Sequence, residues 1–345
     1  MKKIGVCGHF GGNKEFLDGQ TIKTKIITSE LKSIYGENEI ITMDTFGGIK
    51  KIYSHFLNLW KLLRDAENIF IFPAHNAVKL FAPYLVLLNK FYKKKLYYIV
   101  IGGWLPKLVS ANRFISNNLK KFDCIYVETS TMKKQLEAMN YENIEILPNC
   151  KQLNILNEEE LIYPKVEPYS LCTFSRVTKN KGIDDAIEII HQINSEKKRI
   201  VFTLEIYGQI DPAFKNEFNG LIRKYSEFVK YKGCVPFNNS VDVLKKYYAL
   251  LFPTKFYTEG IPGTIIDAYA AGIPVLSAKW ESFCDVIDEG IVGMGYKFDD
   301  KYALKNLLLQ VYNNPQKLND MKKECLKKAQ EFNASIVVRE KINVS

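Results

Sequence analysis

Residues 251–277 read LFPTKFYTEGIPGTIIDAYAAGIPVLS, and the order of features in this stretch decides the fold. An apolar run ending at Phe252 and Pro253 predicts a strand. A polar loop follows, bearing Glu259 and the turn-forming backbone of Gly260, Ile261, Pro262 and Gly263. Thr264 and Asp267, three residues apart, have the spacing of a capping box, so a short helix is expected to open at Thr264. Gly272 and Pro274 end it, and a second apolar strand begins. Strand, loop, helix and strand in this order are a unit of a parallel α/β sheet. The first-turn amides of such a helix, at the positive end of its dipole, suit a phosphate or a sugar hydroxyl. Glu259 and Asp267 add acceptors for hydroxyl groups, so the stretch suits a ligand carrying both, such as a nucleotide sugar. A bare structural cap beside a solvated loop acid is the alternative reading.

At 345 residues the chain is long enough for two domains with separate cores. Its seven cysteines, at 7, 124, 150, 172, 234, 284 and 325, form no C-x-x-C pair, and several lie in apolar runs. That usage predicts reduced thiols in a cytoplasmic protein and speaks against a zinc site; no metal and no cofactor are expected. The apolar run after Met1-Lys2-Lys3 is too short for a signal peptide, and no stretch reaches the roughly 18 apolar residues of a membrane span. A formal net charge of +10 favours an anionic partner. The lysines are dispersed and no nucleic-acid-binding motif is present, so nucleic acid is not the expected one. The densest basic cluster, Lys93-Lys94-Lys95, follows an apolar helical pattern containing Tyr84, Phe91 and Tyr92. That arrangement fits either a helix leaning on the anionic inner face of the cell membrane or a crossover helix with cations at its end.

Strand-like and helical patterns alternate from Lys3 to Leu147, with continuous rather than alternating apolar strands, which predicts a doubly wound parallel sheet buried on both faces. The pattern lapses over residues 153–169, where Pro164 and Pro168 fall in a charged segment. A second alternating series then runs from Ser170 to Lys297, and a lysine-rich helix over Leu318–Phe332 precedes the tail. The expected domains are 1–160, 161–325 and a tail, 326–345, that returns toward the first domain.

The second series opens on YSLCTFSRVTKNKGIDDAIEII. Its first strand ends at Ser175-Arg176, and a turn with Lys179 and Lys181 leads through Gly182 into an amphipathic helix. Ligands of open α/β sheets bind beyond the carboxyl ends of the strands, where Arg176, Lys181 and the Glu259 loop should meet. An arginine fork and a lysine point charge together can neutralise a diphosphate. Gly208 and the run Gly233-Cys234-Val235-Pro236 end two further strands, where backbone could approach a ligand or read a base edge.

These motifs, S-R-x4-K-G, G-C-V-P and F-P-T-x-F-Y-T-E-G-x-P-G-x-x-I-D-A-x-A-A-G-I-P-V, resemble the donor domain of family 4 retaining glycosyltransferases of GT-B architecture. The likeness is to bacterial enzymes that assemble capsular and other surface polysaccharides. It implies two Rossmann-like domains facing a central cleft. It implies that Arg176 and Lys181 bind the donor diphosphate, that Glu259 faces the transferred sugar and that Asp267, in place of a longer glutamate, faces the ribose. The backbone of Gly260, Ile261, Pro262, Gly263 and Thr264 would surround sugar and phosphate, with Gly208 nearby, Val235 beside the base and Gly19 as the helix-starting glycine of the first domain. The family's strand-tip histidine has no evident counterpart: Gly102-Gly103-Trp104 stands where it is expected, and His9 and His75 lie at other predicted strand tips.

The implied activity is retaining, metal-independent transfer of a sugar, with a UDP-sugar favoured, to a saccharide or polyprenyl-diphosphate-linked acceptor. Arg176, Lys181 and Glu259 are the catalytic candidates. A nucleotide-sugar epimerase, a noncatalytic nucleotide-sugar-binding partner and a basic nucleic-acid-binding protein are the rival readings.

Overall fold

In a computed structural model, which describes residues 2–12 and 19–344, the chain divides into two compact units. The first comprises Met1–Gln152 with Phe332–Ser345, and the second Leu153–Glu331. Chain order in the first unit begins β1 Lys2–Gly8, α1 Gly19–Tyr35, β2 Ile40–Asp44, α2 Ile52–Asp65, β3 Ala66–Ile71 and α3 His75–Tyr92. It continues β4 Lys95–Ile99, α4 Leu105–Ala111, α5 Arg113–Leu119, β5 Cys124–Val127, α6 Ser130–Glu137 and β6 Ile144–Ile146. The second unit runs β7 Tyr169–Phe174, α7 Ile183–Lys197, β8 Phe202–Tyr207, α8 Lys215–Lys224, β9 Val229–Gly233, α9 Ser240–Leu244 and β10 Ala249–Phe252. It ends with α10 Gly263–Ala270, β11 Val275–Ala278, α11 Phe283–Val286, β12 Gly293–Tyr296, α12 Lys301–Asn313 and α13 Gln316–Gln330; α14, Ala334–Lys341, rejoins the first unit.

Each unit holds one six-stranded sheet, ordered β2-β1-β3-β4-β5-β6 and β12-β11-β10-β7-β8-β9, with every pairing parallel. The continuous apolar strands are the reason: Ile69, Phe70 and Ile71 of β3, and Leu250, Leu251 and Phe252 of β10, are buried on both sheet faces. Strand order reverses direction between β1 and β3, and between β10 and β7. Right-handed crossovers therefore place α7 and α10 on opposite faces of the second sheet, and the gap between the ends of β7 and β10 is left open to a ligand.

The division falls at Gln152/Leu153 and at Glu331/Phe332, where 160 and 325 were expected. Residues 153–169 are not a free tether: Leu156 and Leu161 are buried against Leu326 of α13, and the Leu156 amide donates to the Ala270 carbonyl at 3.0 Å. The segment after Phe332 is a helix whose Asn333 side chain caps it. Around that helix, the Lys151 amide donates to the Phe332 carbonyl and the Lys151 carbonyl accepts from the Ala334 amide, and the Tyr35 hydroxyl accepts from the Val344 amide.

Candidate functional site

The end of β7 and the start of α7 are fixed by a glycine. Gly182 sits at φ +62°, and a Cβ there would lie 2.0 Å from the Pro253 carbonyl oxygen, so no larger residue fits. This contact brings the loop after β10 against the basic turn, and the Lys255 amide completes it by donating to the Asn180 carbonyl at 2.9 Å. Lys181 and Glu259, 78 residues apart in sequence, consequently form a hydrogen-bonded ion pair that is mostly shielded from solvent. Thr254 donates to the same carboxylate at 3.2 Å, and the Lys181 ammonium stands 5.2 Å from the Phe252 ring. Arg176 projects from the end of β7 and is exposed.

Gly208 is held as tightly. At φ +129° its Cβ would lie 1.9 Å from the Ser175 carbonyl oxygen, so the ends of β7 and β8 cross at near contact. Its amide donates to the Gly233 carbonyl at 2.9 Å, which ties in the end of β9 and the following Val235, itself half-buried. Beneath these tips Glu205 accepts from the Tyr247 and Tyr207 hydroxyls and faces Lys246 at 3.5 Å and Lys232 at 3.9 Å. Burial pushes the Glu205 carboxyl up, but the Tyr247 hydroxyl and the two lysines outweigh it and hold the group below the usual carboxylate range. Thr203, Glu205 and Tyr207 alternate along β8, the one sequence signal from which this group could have been suspected.

The capping box is not formed. The residue preceding α10 is Pro262, with no side-chain cap; Gly263 is already helical, which puts Thr264 in the first turn. Its hydroxyl is buried with no partner among the described residues. Asp267, one turn further along, is buried. Gly260 and Ile261 are buried, and Pro262 and Gly263 half-buried, which leaves the amides at the start of α10 beside the Glu259 loop. Thr254, Phe252 and Asn180 were not anticipated, because they act by holding Glu259, Lys181 and their loop.

In the first unit Gly19 opens α1, exposed, with nothing within 4 Å of the position a Cβ would take. Residues 13–18 of the loop before it lie outside the described residues. His9, after β1, has Nδ1 2.6 Å from the Thr21 hydroxyl; His75 opens α3 beside Trp104. Among the described residues no cluster of histidine, cysteine and carboxylate could hold a metal, and no helix is long and apolar enough to cross a membrane.

Residues 159–328 match the family model described as Glycosyl transferases group 1. The amylovoran biosynthesis glycosyltransferase AmsK of Erwinia amylovora is 24% identical over 149 residues, 42% of this chain and 36% of that protein. The putative colanic acid biosynthesis glycosyltransferase WcaL of Salmonella typhimurium is 27% identical over 143 residues, 40% of this chain and 34% of that protein. The matched stretch thus spans about a third of each of these relatives. HepE of Anabaena, solved in complex with UDP, superposes with a TM-score of 0.75 over 99% of this chain and 98% of its own, at 13% identity. The two doubly wound sheets are those of the GT-B fold, and the stretch similar to the Glycosyl transferases group 1 model is the one that carries Arg176, Lys181, Glu259 and Asp267.

Proposed function

We propose that this chain moves a sugar from a nucleotide-diphosphate donor, a UDP-sugar by preference, to a lipid-linked or saccharide acceptor in surface-polysaccharide assembly, with retention of configuration. The observation that carries the reading is the meeting of Lys181 and Glu259 at the β7/β10 reversal, beside the exposed Arg176. It is supported by the names of the relatives, which are polysaccharide glycosyltransferases, and by the UDP bound to HepE.

Glycosyl transfer passes through an oxocarbenium-like state while negative charge grows on the departing diphosphate. Arg176 and Lys181 stand where they can balance that charge electrostatically, and the first amides of α10 can add donors, so the basic side chains supply what a divalent ion would otherwise provide. Glu259 accepts from hydroxyls of the transferred sugar, and Asp267 from the ribose. With the charge taken up in this way, the leaving phosphate can accept the acceptor's proton on the same face, which leads to retention.

The test is transfer from UDP-, GDP- and ADP-sugars to lipid-linked acceptors, with product mass and anomeric configuration as readouts. Arg176→Ala and Lys181→Ala should each lower turnover at least about a hundredfold, on the order of 3 kcal/mol of lost transition-state stabilisation. Near-normal turnover in either variant removes the diphosphate role. Isomerised sugar formed without an acceptor would instead mark an epimerase.

A further inference from the structure

Glu259 stands on an irregular loop, residues 253–262, between β10 and α10, and a carboxylate is kept ready for a hydroxyl only where the backbone that carries it is held. One hold is the approach of Pro253 to Gly182. A second runs through side chains. Lys255, four residues before Glu259, reaches to the first turn of α7, where its ammonium lies 2.7 Å from one oxygen of Asp185 and 3.9 Å from Asp184. The other oxygen of Asp185 lies 2.7 Å from the Lys301 ammonium at the start of α12, and Lys301 also faces Glu188 at 2.9 Å. One carboxylate therefore joins the Glu259 loop, α7 and α12. Gly182 ends the basic turn, and the acids that follow it occupy the first helical turn, where the positive end of the dipole favours them.

Burial separates this group from an ordinary surface pair. Asp185 is 7% exposed, and an acid that deep, removed alone, leaves two ammonium groups short of a counter-ion. Asp185 and Glu188 hold the Lys301 ammonium above the usual lysine range. Asp184 is the weaker partner: burial raises its carboxyl, and Lys255, which opposes that, is 3.9 Å away. The pairing also decides which cation Glu259 meets. Lys179 is taken by Glu217 at 2.7 Å and Lys255 by Asp185, and of the three lysines on these loops Lys181 is the one paired with Glu259. Without Asp185, Lys255 keeps only the more distant Asp184, and its ammonium can compete with Lys181 and with a ligand hydroxyl for the carboxylate four residues on.

We propose that Asp185 is a positioning residue for Glu259, acting through Lys255. It touches no substrate; it fixes the loop so that Glu259 meets Lys181 and the hydroxyls of a bound sugar. The inference rests on the transferase reading for what Glu259 contacts.

Asp185→Asn keeps the size of the side chain and removes its charge. Lys255→Met removes the other end of the same link at a half-buried position, and carries the test where Asp185→Asn folds poorly. In the full chain, amide hydrogen exchange over residues 254–262, read by mass spectrometry, should quicken at least about tenfold in each variant, while exchange in β8 stays as in the parent. Titration with UDP and with UDP-glucose reads the consequence at Glu259. Either variant should lower the preference for UDP-glucose over UDP at least about fivefold, and neither should lower it further in a Glu259→Gln background, where that preference is already reduced. Lys301→Met strips Asp185 of its other ammonium but leaves Lys255 in place, so loop exchange and preference should both stay as in the parent. An Asp185 that serves the fold alone would weaken both ligands alike, or would act equally through Lys301; either result overturns the proposal, as does loop exchange unchanged in both variants. A parent protein that binds neither ligand removes the transferase reading, while quickened exchange still supports the anchor. A parent that prefers UDP-glucose, with the preference kept in both variants, removes the role of Asp185 alone.

Discussion

Glu259 is both a counter-ion and a candidate sugar ligand, and the two roles predict opposite effects on two ligands. In the donor-free protein its carboxylate is the partner of Lys181 and the acceptor of the Thr254 hydroxyl. Glu259→Gln leaves Lys181 without that competitor, so a free nucleoside diphosphate should bind as well as before or several-fold better. The intact nucleotide sugar should lose that advantage, and turnover should fall by more than tenfold, because the neutral amide is a weaker acceptor for sugar hydroxyls. If Asp267 receives a ribose hydroxyl, Asp267→Asn should lower affinity for both ligands, because the amide lacks the charge that strengthens the contact. Titrations with UDP and a UDP-sugar decide it; if both variants bind both ligands like the parent, the stretch is scaffold. Glu259, Arg176 and Lys181 were legible in the sequence because each stands at a predicted strand tip. Their meeting there was expected, but the ion pair of Lys181 with Glu259 was not, since it depends on how closely Gly182 lets Pro253 approach.

At the scale of elements the reading failed where local signals conflicted. Thr264 was read as the helix opening because the spacing to Asp267 fits a box, yet Gly263 takes up the helical conformation one residue earlier. No element was expected in the tail after Phe332, where the Asn333 cap and packing on α1 make Ala334–Lys341 helical. α4 is one short helix opening on Leu105-Pro106, too brief for any periodicity to appear. Lys93, Lys94 and Lys95 do not act as one block: Lys93 caps α3 in the left-handed region, and Lys95 starts β4 paired with Asp123 at 3.4 Å. One contact between elements could not be inferred from sequence at all. Lys23 of α1 and Glu128, after β5, form an ion pair at 2.8 Å with both side chains almost wholly buried. Removing one member leaves the other's buried charge without its counter-ion, so Lys23→Ala or Glu128→Ala should cost about 3–5 kcal/mol, whereas Lys23→Met with Glu128→Leu should recover most of that. Urea denaturation of the three variants measures it; single variants within about 1 kcal/mol of the parent would show that water reaches the pair.

Over the whole molecule the architecture was legible, because continuous apolar strands alternating with amphipathic helices admit few solutions other than two doubly wound sheets. The thiols give a measure of how tightly those sheets close. Cys7, Cys150, Cys172 and Cys325 are buried, and burial pushes the Cys7 and Cys150 thiols up to about 12. Cys234 and Cys284 are exposed. At neutral pH a maleimide should therefore label two thiols quickly and all seven only in denaturant. A nucleotide should slow labelling of Cys234, which adjoins Val235, without protecting Cys284. Cys124 is half-buried and should label more slowly than these two; rapid labelling of Cys7, Cys150, Cys172 or Cys325 would show that one unit opens readily.

The first unit is not contiguous in the chain. Its last helix, α14, follows the whole of the second unit, and the bridge between Lys151 and Asn333 joins the two segments. During synthesis, then, the ribosome releases the first sheet long before the helix that covers α1 exists, and the second unit can finish folding while the first still lacks a wall. Fragments cut between the units would not be independent: residues 1–152 should gain protection from proteolysis when a peptide spanning 332–344 is added in trans. A fusion or deletion at the carboxyl end would for the same reason disturb the amino-terminal half of the protein.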